Sequence, residues 1–401
     1  MYNNKKSVLI FGVGPLQKSI IGRAKLMGLY TVGIDPAENA TCRNEVDAFE
    51  VVGGQDYEGT CEVVERYGID AIVTAATDKP LVMMARVAQK YHFPFYSVDT
   101  AQWSTDKYQM KQRFIEGGVP CAKGRLVKSV EEVNDFDYPV IVKPRDNSGS
   151  RGVKLCYNNI ELAIAMKEAF DVSRLDSVLV EEFIEGMEYS IESLHFEGNN
   201  QVIQFTEKRT TSFPYNVELG HKQPAILSDK QKHEIGEIVS KIAQCMRFEN
   251  CPSHTELKIN NRGIFVIETS PRLGGDYITS TLTPLSTGIN MEDELLNISL
   301  GCPLNITRTT KQSASGVCFI SLPQGKITEI DSSISAVKTW HGICDFELEL
   351  HVGDKVNPIT SSLNRYGYFI AIESSRDLLD VFMNDCYKKI CSKIIVNATY
   401  V

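Results

Sequence analysis

Glu256 and Glu268 lie on either side of the turn Asn260-Asn261-Arg262-Gly263. If Gly263 takes the left-handed position that ends a three-residue hairpin loop, Glu256 falls directly opposite Glu268. Opposed side chains in an antiparallel pair have Cβ atoms about 4.5–5.5 Å apart, and like charges there destabilise the sheet unless a cation lies between them. A divalent metal is the simplest such cation. Mg²⁺ takes carboxylate oxygens and completes its shell with water and phosphates, so the hairpin predicts a nucleoside triphosphate site. The other reading of the same pair is a surface hairpin with two solvated glutamates.

Two further stretches carry chemistry. Lys143-Pro144-Arg145-Asp146-Asn147-Ser148-Gly149-Ser150-Arg151-Gly152 joins a strand-end lysine to a small-residue loop. Successive backbone N–H groups in such a loop form an anion-binding concavity, and small side chains let it lie over phosphates. The Gly-Lys-Ser/Thr ending of a Walker loop is missing, which excludes that NTPase class; a flexible hairpin is the alternative. Glu181 to Glu188 reads as a strand running into a linker. Extended backbone offers paired C=O and N–H groups suited to an adenine edge, and a carboxylate such as Glu188 can accept both ribose hydroxyls.

The elements that must position these residues fall into two patterns. From Ser7 to about residue 100, apolar strands (Ser7–Phe11, Tyr30–Asp35, Ala48–Val52, Ala71–Thr74) alternate with helical stretches, which predicts a parallel sheet covered by helices. The first turn, Gly12-Val13-Gly14-Pro15-Leu16-Gln17, with Asp35 ending the second strand, resembles part of a dinucleotide fingerprint. Gln17 replaces its third glycine and Pro15 removes a donor, so a tight turn is the preferred reading, with a small substrate near this edge as a secondary one. From about Asp106 the order becomes antiparallel α+β, with a helix from Lys107 to Glu116, another through Glu161 to Phe170, and a third from Asp229 to Arg247. After about Arg308 short strands and turns dominate, which reads as a β-rich closing subdomain.

Composition bounds the partners. With 401 residues, 43% hydrophobic and 23% charged, the chain is globular and long enough for two or three domains. A net charge of −9 argues against nucleic acid or an anionic membrane. The opening residues do not resemble a secretory signal, no apolar run reaches the roughly 18 residues of a membrane span, and the eleven cysteines show no metal or disulfide spacing. A cytoplasmic protein with reduced thiols is expected.

Taken in order, Asp106-Lys107, Val142-Lys143-Pro144, the 148–152 loop, Glu181-Glu182-Phe183-Ile184, His254-Thr255-Glu256-Leu257-Lys258 and Glu268-Thr269-Ser270-Pro271-Arg272-Leu273-Gly274-Gly275-Asp276 resemble the ATP-grasp superfamily. The likeness is closest to carboxylate-amine ligases of the L-amino-acid ligase and carnosine-synthase-like type, and it covers nearly the whole chain. It implies an α/β and α+β protein: a pre-ATP-grasp parallel-sheet domain over 1–100, an ATP-grasp domain over 101–307 with its lid at about 112–182, and a β-rich subdomain over 308–401. It also implies the cofactors ATP and Mg²⁺. Lys107 and Lys143 would hold phosphates, with Ser148, Gly149, Ser150 and Gly152 closing over them. Glu181 and the backbone of Glu182, Phe183 and Ile184 would read adenine, and Glu188 the ribose. Glu256, Glu268 and Ser270 would be the metal ligands, although many relatives carry asparagine where this chain has Ser270. Arg272 would face the transferred phosphoryl group, with Lys258 beside it in the catalytic set. Substrate contacts would come from Lys208, Arg209, His221, Gly274 and Gly275, with Phe213, Pro214 and Tyr215 as an apolar wall or a piece of core. The partners implied are a small-molecule carboxylate and an amine, with a homodimer as the assembly such relatives often form. Relatives that phosphorylate bicarbonate or formate, and a non-catalytic ATP-binding protein, are the competing readings.

Overall fold

The computed structural model describes residues 5–133, 135–147, 149, 151–306 and 313–397. Four strands, β1 (Ser7–Phe11), β2 (Tyr30–Asp35), β3 (Ala48–Val51) and β4 (Ala71–Val73), form a parallel sheet in the order β3-β2-β1-β4. All five residues of β1 are buried because helices cover both faces of the sheet. The turn after β1 is filled from within. The Asp35 carboxylate accepts from Val13 N and Ala37 N, and Gln17 accepts from Gly14 N while donating to the Ala75 carbonyl. The acid that a dinucleotide ribose would need is committed to its own turn, in keeping with the tight-turn reading.

An antiparallel sheet of β5 (Gly124–Val127), β6 (Val140–Pro144), β7 (Lys154–Cys156) and β8 (Val178–Glu182) follows in the order β5-β8-β6-β7. Helix Asn159–Val172 packs Leu162, Ala165, Met166 and Ala169 onto Val140, Val142, Val178 and Val180. Their helical spacing makes one apolar stripe, and Asn158 caps the start by accepting from the N–H groups of Ile160 and Glu161.

The largest sheet contains β9 (Met187–Phe196), β10 (Asn199–Thr210), β11 (Glu218–Gln223), β12 (Cys251–Asn260), β13 (Gly263–Ser270), β14 (Ala314–Phe319), β16 (Ile343–Leu348) and β18 (Gly367–Glu373). Its order is β13-β12-β9-β10-β11-β14-β18-β16, and its pairings are antiparallel. A small sheet joins β15 (Gly325–Ile330), β17 (Lys355–Val356) and β19 (Ile394–Asn397). Two features of the tail differ from the expected short strands and turns. The 17-residue helix Arg376–Ser392 buries Leu379, Met383, Cys386 and Ile390, and β14, β18 and β16 prolong the large sheet. The exposed apolar residues Leu378 and Val381 lie outside the helix's buried stripe and blur its helical spacing in the sequence. The expected boundary between 307 and 308 falls outside the described residues.

The parallel sheet is tied to the rest by helix Met291–Ser299, where Glu292 accepts from Ser19 at 2.5 Å and Asp293 pairs with Arg23. Burial, only partly offset by Ser19 and Arg23, raises the Glu292 pKa from its ordinary 4.5 to about 7. The folded state therefore favours the neutral acid. Its stabilising contribution is full below pH 4.5 and lost as pH rises to about 7, on the order of 3 kcal/mol. Glu292→Gln should flatten that limb of a urea-melt pH profile; an unchanged profile would show that Glu292 stays ionised.

Candidate active site

An open cleft lies between the β5-β8-β6-β7 sheet and the large sheet. Lys143, Lys107, Lys208, Lys258, Glu256 and Glu268 line it, and each reaches it through an identifiable element. Asp106 caps helix Lys107–Glu116 by accepting from the N–H groups of Tyr108 and Gln109, and Arg145 clamps that carboxylate at 2.6 Å. Lys107 is thereby fixed in the first turn, with its Nζ 3.4 Å from Glu268.

Glu256 does face Glu268, but by a different route from the one expected. The hairpin turns tightly on Asn261 and Arg262 with Asn260 paired to Gly263, which alone would put Glu256 out of line with Glu268. A β-bulge between Glu256 and Leu257 absorbs Ile267 as an extra residue and restores the opposition. Lysines neutralise the acid pair. Lys208 Nζ lies 2.8 Å from Glu256, 3.5 Å from Glu218 and 4.0 Å from Glu188. Burial disfavours the Lys208 ammonium, yet these carboxylates outweigh it and raise its pKa. Glu256 is likewise held well below the ordinary carboxylate value, Lys208 and His254 overcoming the effect of burial.

Among the described residues no group of three or more His, Cys, Asp or Glu side chains is arranged to hold a metal. Two carboxylates on one wall of an open cleft suit a hard cation that takes the rest of its shell from phosphate and water, as Mg²⁺ does, and not a closed structural site. Ser270 is turned elsewhere: its hydroxyl donates to Asp78 at 2.6 Å.

Lys143 belongs to a buried triad. Glu181 receives Lys111 and Lys143 at 2.6 Å each, one on each carboxylate oxygen. Burial pushes the Glu181 pKa up, but the two lysines bring it below its ordinary value; the same pairing keeps Lys143 charged against its own burial. Lys111, one helical turn beyond Lys107, drew no attention in the sequence because a lone lysine in an exposed-looking pattern has no signature. Glu181, expected at adenine, thus has both oxygens committed to lysines. The N–H groups of Glu182 and Phe183 are bonded to the Lys123 and Pro139 carbonyls, and Ile184 lines the cleft with them. Phe183 meets Phe213 edge-on at 5.1 Å, and Lys258 Nζ lies 4.9 Å from the Phe183 ring while pairing with Glu188 at 3.1 Å. Glu188 also accepts from Asn216. Gly149 and Gly152 both have positive φ, which glycine adopts without strain; a Cβ on Gly152 would also meet Pro144 and Val172. Ser148 and Ser150 lie outside the described residues.

Arg272 forms a two-pronged pair with Asp78, its Nε and one terminal nitrogen 2.9 and 3.1 Å from the carboxylate oxygens. Burial opposes both charges, but each stabilises the other, raising the arginine pKa and lowering the aspartate one. Asp78 escaped the sequence reading although its place is informative, since it follows β4 at the carboxyl end of the parallel sheet, where open α/β sheets bind ligands.

The substrate candidates separate. Lys208 points into the cleft. Arg209, the next residue on β10, necessarily faces the other way; it donates to the Leu219 carbonyl and lies 5.8 Å from the Tyr387 ring. His221 pairs with Lys208 across β10 and β11, so both share the cleft face of the sheet. Its Nε2 lies 3.5 Å from Asp276, which Arg365 clamps at 2.6 and 2.7 Å while stacking on Phe319. Burial pushes the Asp276 pKa up, but Arg365 and His221 more than offset it and keep the carboxylate ionised. Gly274 serves packing: a Cβ there would sit 2.7 Å from His254 Nδ1. Gly275 would meet only Ala76, at 3.6 Å.

No helix among the described residues is long and apolar enough to cross a membrane, and all eleven cysteines are free thiols. Residues 136–280 match a family model described as the ATP-grasp domain. The chain is 24% identical over 328 residues to the uncharacterized protein y4rH of Sinorhizobium fredii, covering 79% of this chain and 67% of that one. It is 26% identical over 269 residues to an alanine–anticapsin ligase of Bacillus amyloliquefaciens, covering 60% of this chain and 56% of the ligase, little more than half of that relative's length. Among solved structures, an L-amino acid ligase from Bacillus licheniformis superposes with a TM-score of 0.81 at 21% identity over 99% of both chains. At that identity the likeness is one of fold.

Proposed function

Because this chain belongs to the ATP-grasp superfamily, we propose that it is a ligase that activates a substrate carboxylate with ATP and joins it to an amine, with amino-acid-like substrates. The observation that carries this reading is the opposition of Glu256 and Glu268 in a cleft ringed by lysines. In the first step a carboxylate oxygen of the substrate attacks the γ-phosphorus of ATP and ADP leaves. In the second the amine nitrogen attacks the acyl carbon, phosphate leaves, and the amine gives up a proton.

Such phosphoryl transfer asks little covalent chemistry of the protein and depends on positioning and charge. Lys107 and Lys143 meet the phosphates, and the 148–152 loop keeps water from the acyl phosphate. Arg272 offers a planar fork to the transferred group, its orientation set by Asp78. Glu256 and Glu268 would hold magnesium, which spreads the phosphoryl charge when bound, while Ser270 is engaged by Asp78. Relatives' ligase activity on amino acids supports the substrate class.

The reading is tested by phosphate release with Mg-ATP and pairs of amino or organic acids, the products identified by mass. Turnover with bicarbonate or formate, and none with amino acids, would replace it by the carboxylating or formate-using alternative; ATP binding with no phosphate release on any substrate would favour a non-catalytic ATP-binding role.

A further inference from the structure

Glu256 is gripped from behind by one oxygen. Its Oε1 takes both the Lys208 ammonium at 2.8 Å and His254 Nε2 at 3.3 Å, and neither contact uses Oε2. His254 is pinned in turn by Glu192, whose Oε1 lies 2.6 Å from Nδ1. The strands dictate this chain of contacts. His254 and Glu192 are register partners on β12 and β9, and Glu256, two residues beyond His254, projects from the same face. Glu192 has no solvent exposure, and its Oε2 finds no hydrogen-bond partner among the described residues. A fully buried carboxylate with a spare oxygen is a poor structural choice unless its task is to fix the imidazole. The backbone leaves room for the pair: a Cβ at Gly274 would stand 2.7 Å from His254 Nδ1 and 2.9 Å from Glu192 Oε2.

We propose that Glu192 and His254 are positioning residues that hold Glu256 by Oε1 and so present Oε2 to the metal of the cleft. The inference rests on the ligase reading, in which Glu256 is a metal ligand. Groups that orient a metal ligand typically account for ten- to a hundredfold in metal affinity.

The test is Mn²⁺ binding to the full chain with ADP, read by electron paramagnetic resonance, beside ADP binding in excess chelator. His254→Ala should weaken Mn²⁺ binding by about ten- to a hundredfold and leave metal-free ADP binding unchanged, a split that a purely structural histidine would not produce. Should His254→Ala fail to fold with Glu192 unpaired, the double variant Glu192→Gln/His254→Gln removes both charges and should show the same split. Unchanged Mn²⁺ affinity in the folded His254 variant, with Glu256→Gln abolishing it, overturns the inference and leaves the ligase reading standing. Mn²⁺ binding that survives Glu256→Gln overturns both.

Discussion

Glu268→Gln should lower metal-dependent turnover by at least about a thousandfold, some 4 kcal/mol of barrier, while leaving the fold as stable as before or more so. The side chain keeps its shape, and Lys107 keeps its bond to the Asn147 carbonyl at 2.5 Å. What goes is one of two charges facing each other across β12 and β13, so relief of repulsion from Glu256 offsets the lost Lys107 ion pair as metal affinity is lost. Phosphate release at saturating Mg-ATP measures the first effect and a thermal melt the second. A variant that melts early would make Glu268 a structural residue; one that turns over normally would remove the metal assignment altogether.

The Lys111–Glu181–Lys143 triad allows a second large effect to be divided between stability and chemistry. Glu181→Ala leaves two buried ammonium groups with no carboxylate between them, and breaking a buried pair in this way costs about 3–5 kcal/mol. Lys143→Ala leaves Glu181 still paired with Lys111, so the loss of stability should be clearly smaller. Its cost should appear instead in nucleotide use, with kcat/KM for ATP falling about ten- to a hundredfold. Denaturant unfolding and ATP titration of the two variants should therefore rank them in opposite orders. Equal destabilisation with unchanged ATP kinetics in Lys143→Ala would mean that the triad serves the fold alone.

Most of the cleft's wall was legible in the chain because its residues stand in a fixed order on short, well-signalled elements. Alternation of apolar strands and helices gave away the parallel sheet, and the turn Asn260-Asn261-Arg262-Gly263 placed Glu256 and Glu268 on facing strands. Arg209 was misjudged with its neighbour Lys208 because adjacency in sequence is not adjacency on a strand; successive side chains leave opposite faces. The helix Arg376–Ser392 was hidden by the exposed apolar residues Leu378 and Val381 outside its buried stripe. Lys111, Glu192 and Arg365 carry no local mark, each gaining meaning from a residue between 62 and 89 positions away, and Asp78, informative by its place after β4, meets Arg272 194 positions on.

The linear order of residues was sufficient for the class of fold and for two glutamates facing each other across a hairpin, since alternation and turn chemistry are local; the lysines and the glycine loop drew their expected roles from the family resemblance. Tertiary structure alone decided which charges meet: that lysines already neutralise the glutamate pair, that Glu181 braces Lys143, that Asp78 aims Arg272 and that Glu192 and His254 back Glu256. The reason is that a buried charge is tolerated only beside its complement, and that complement is supplied by whichever strand or loop the fold brings within about 3 Å, however distant in sequence.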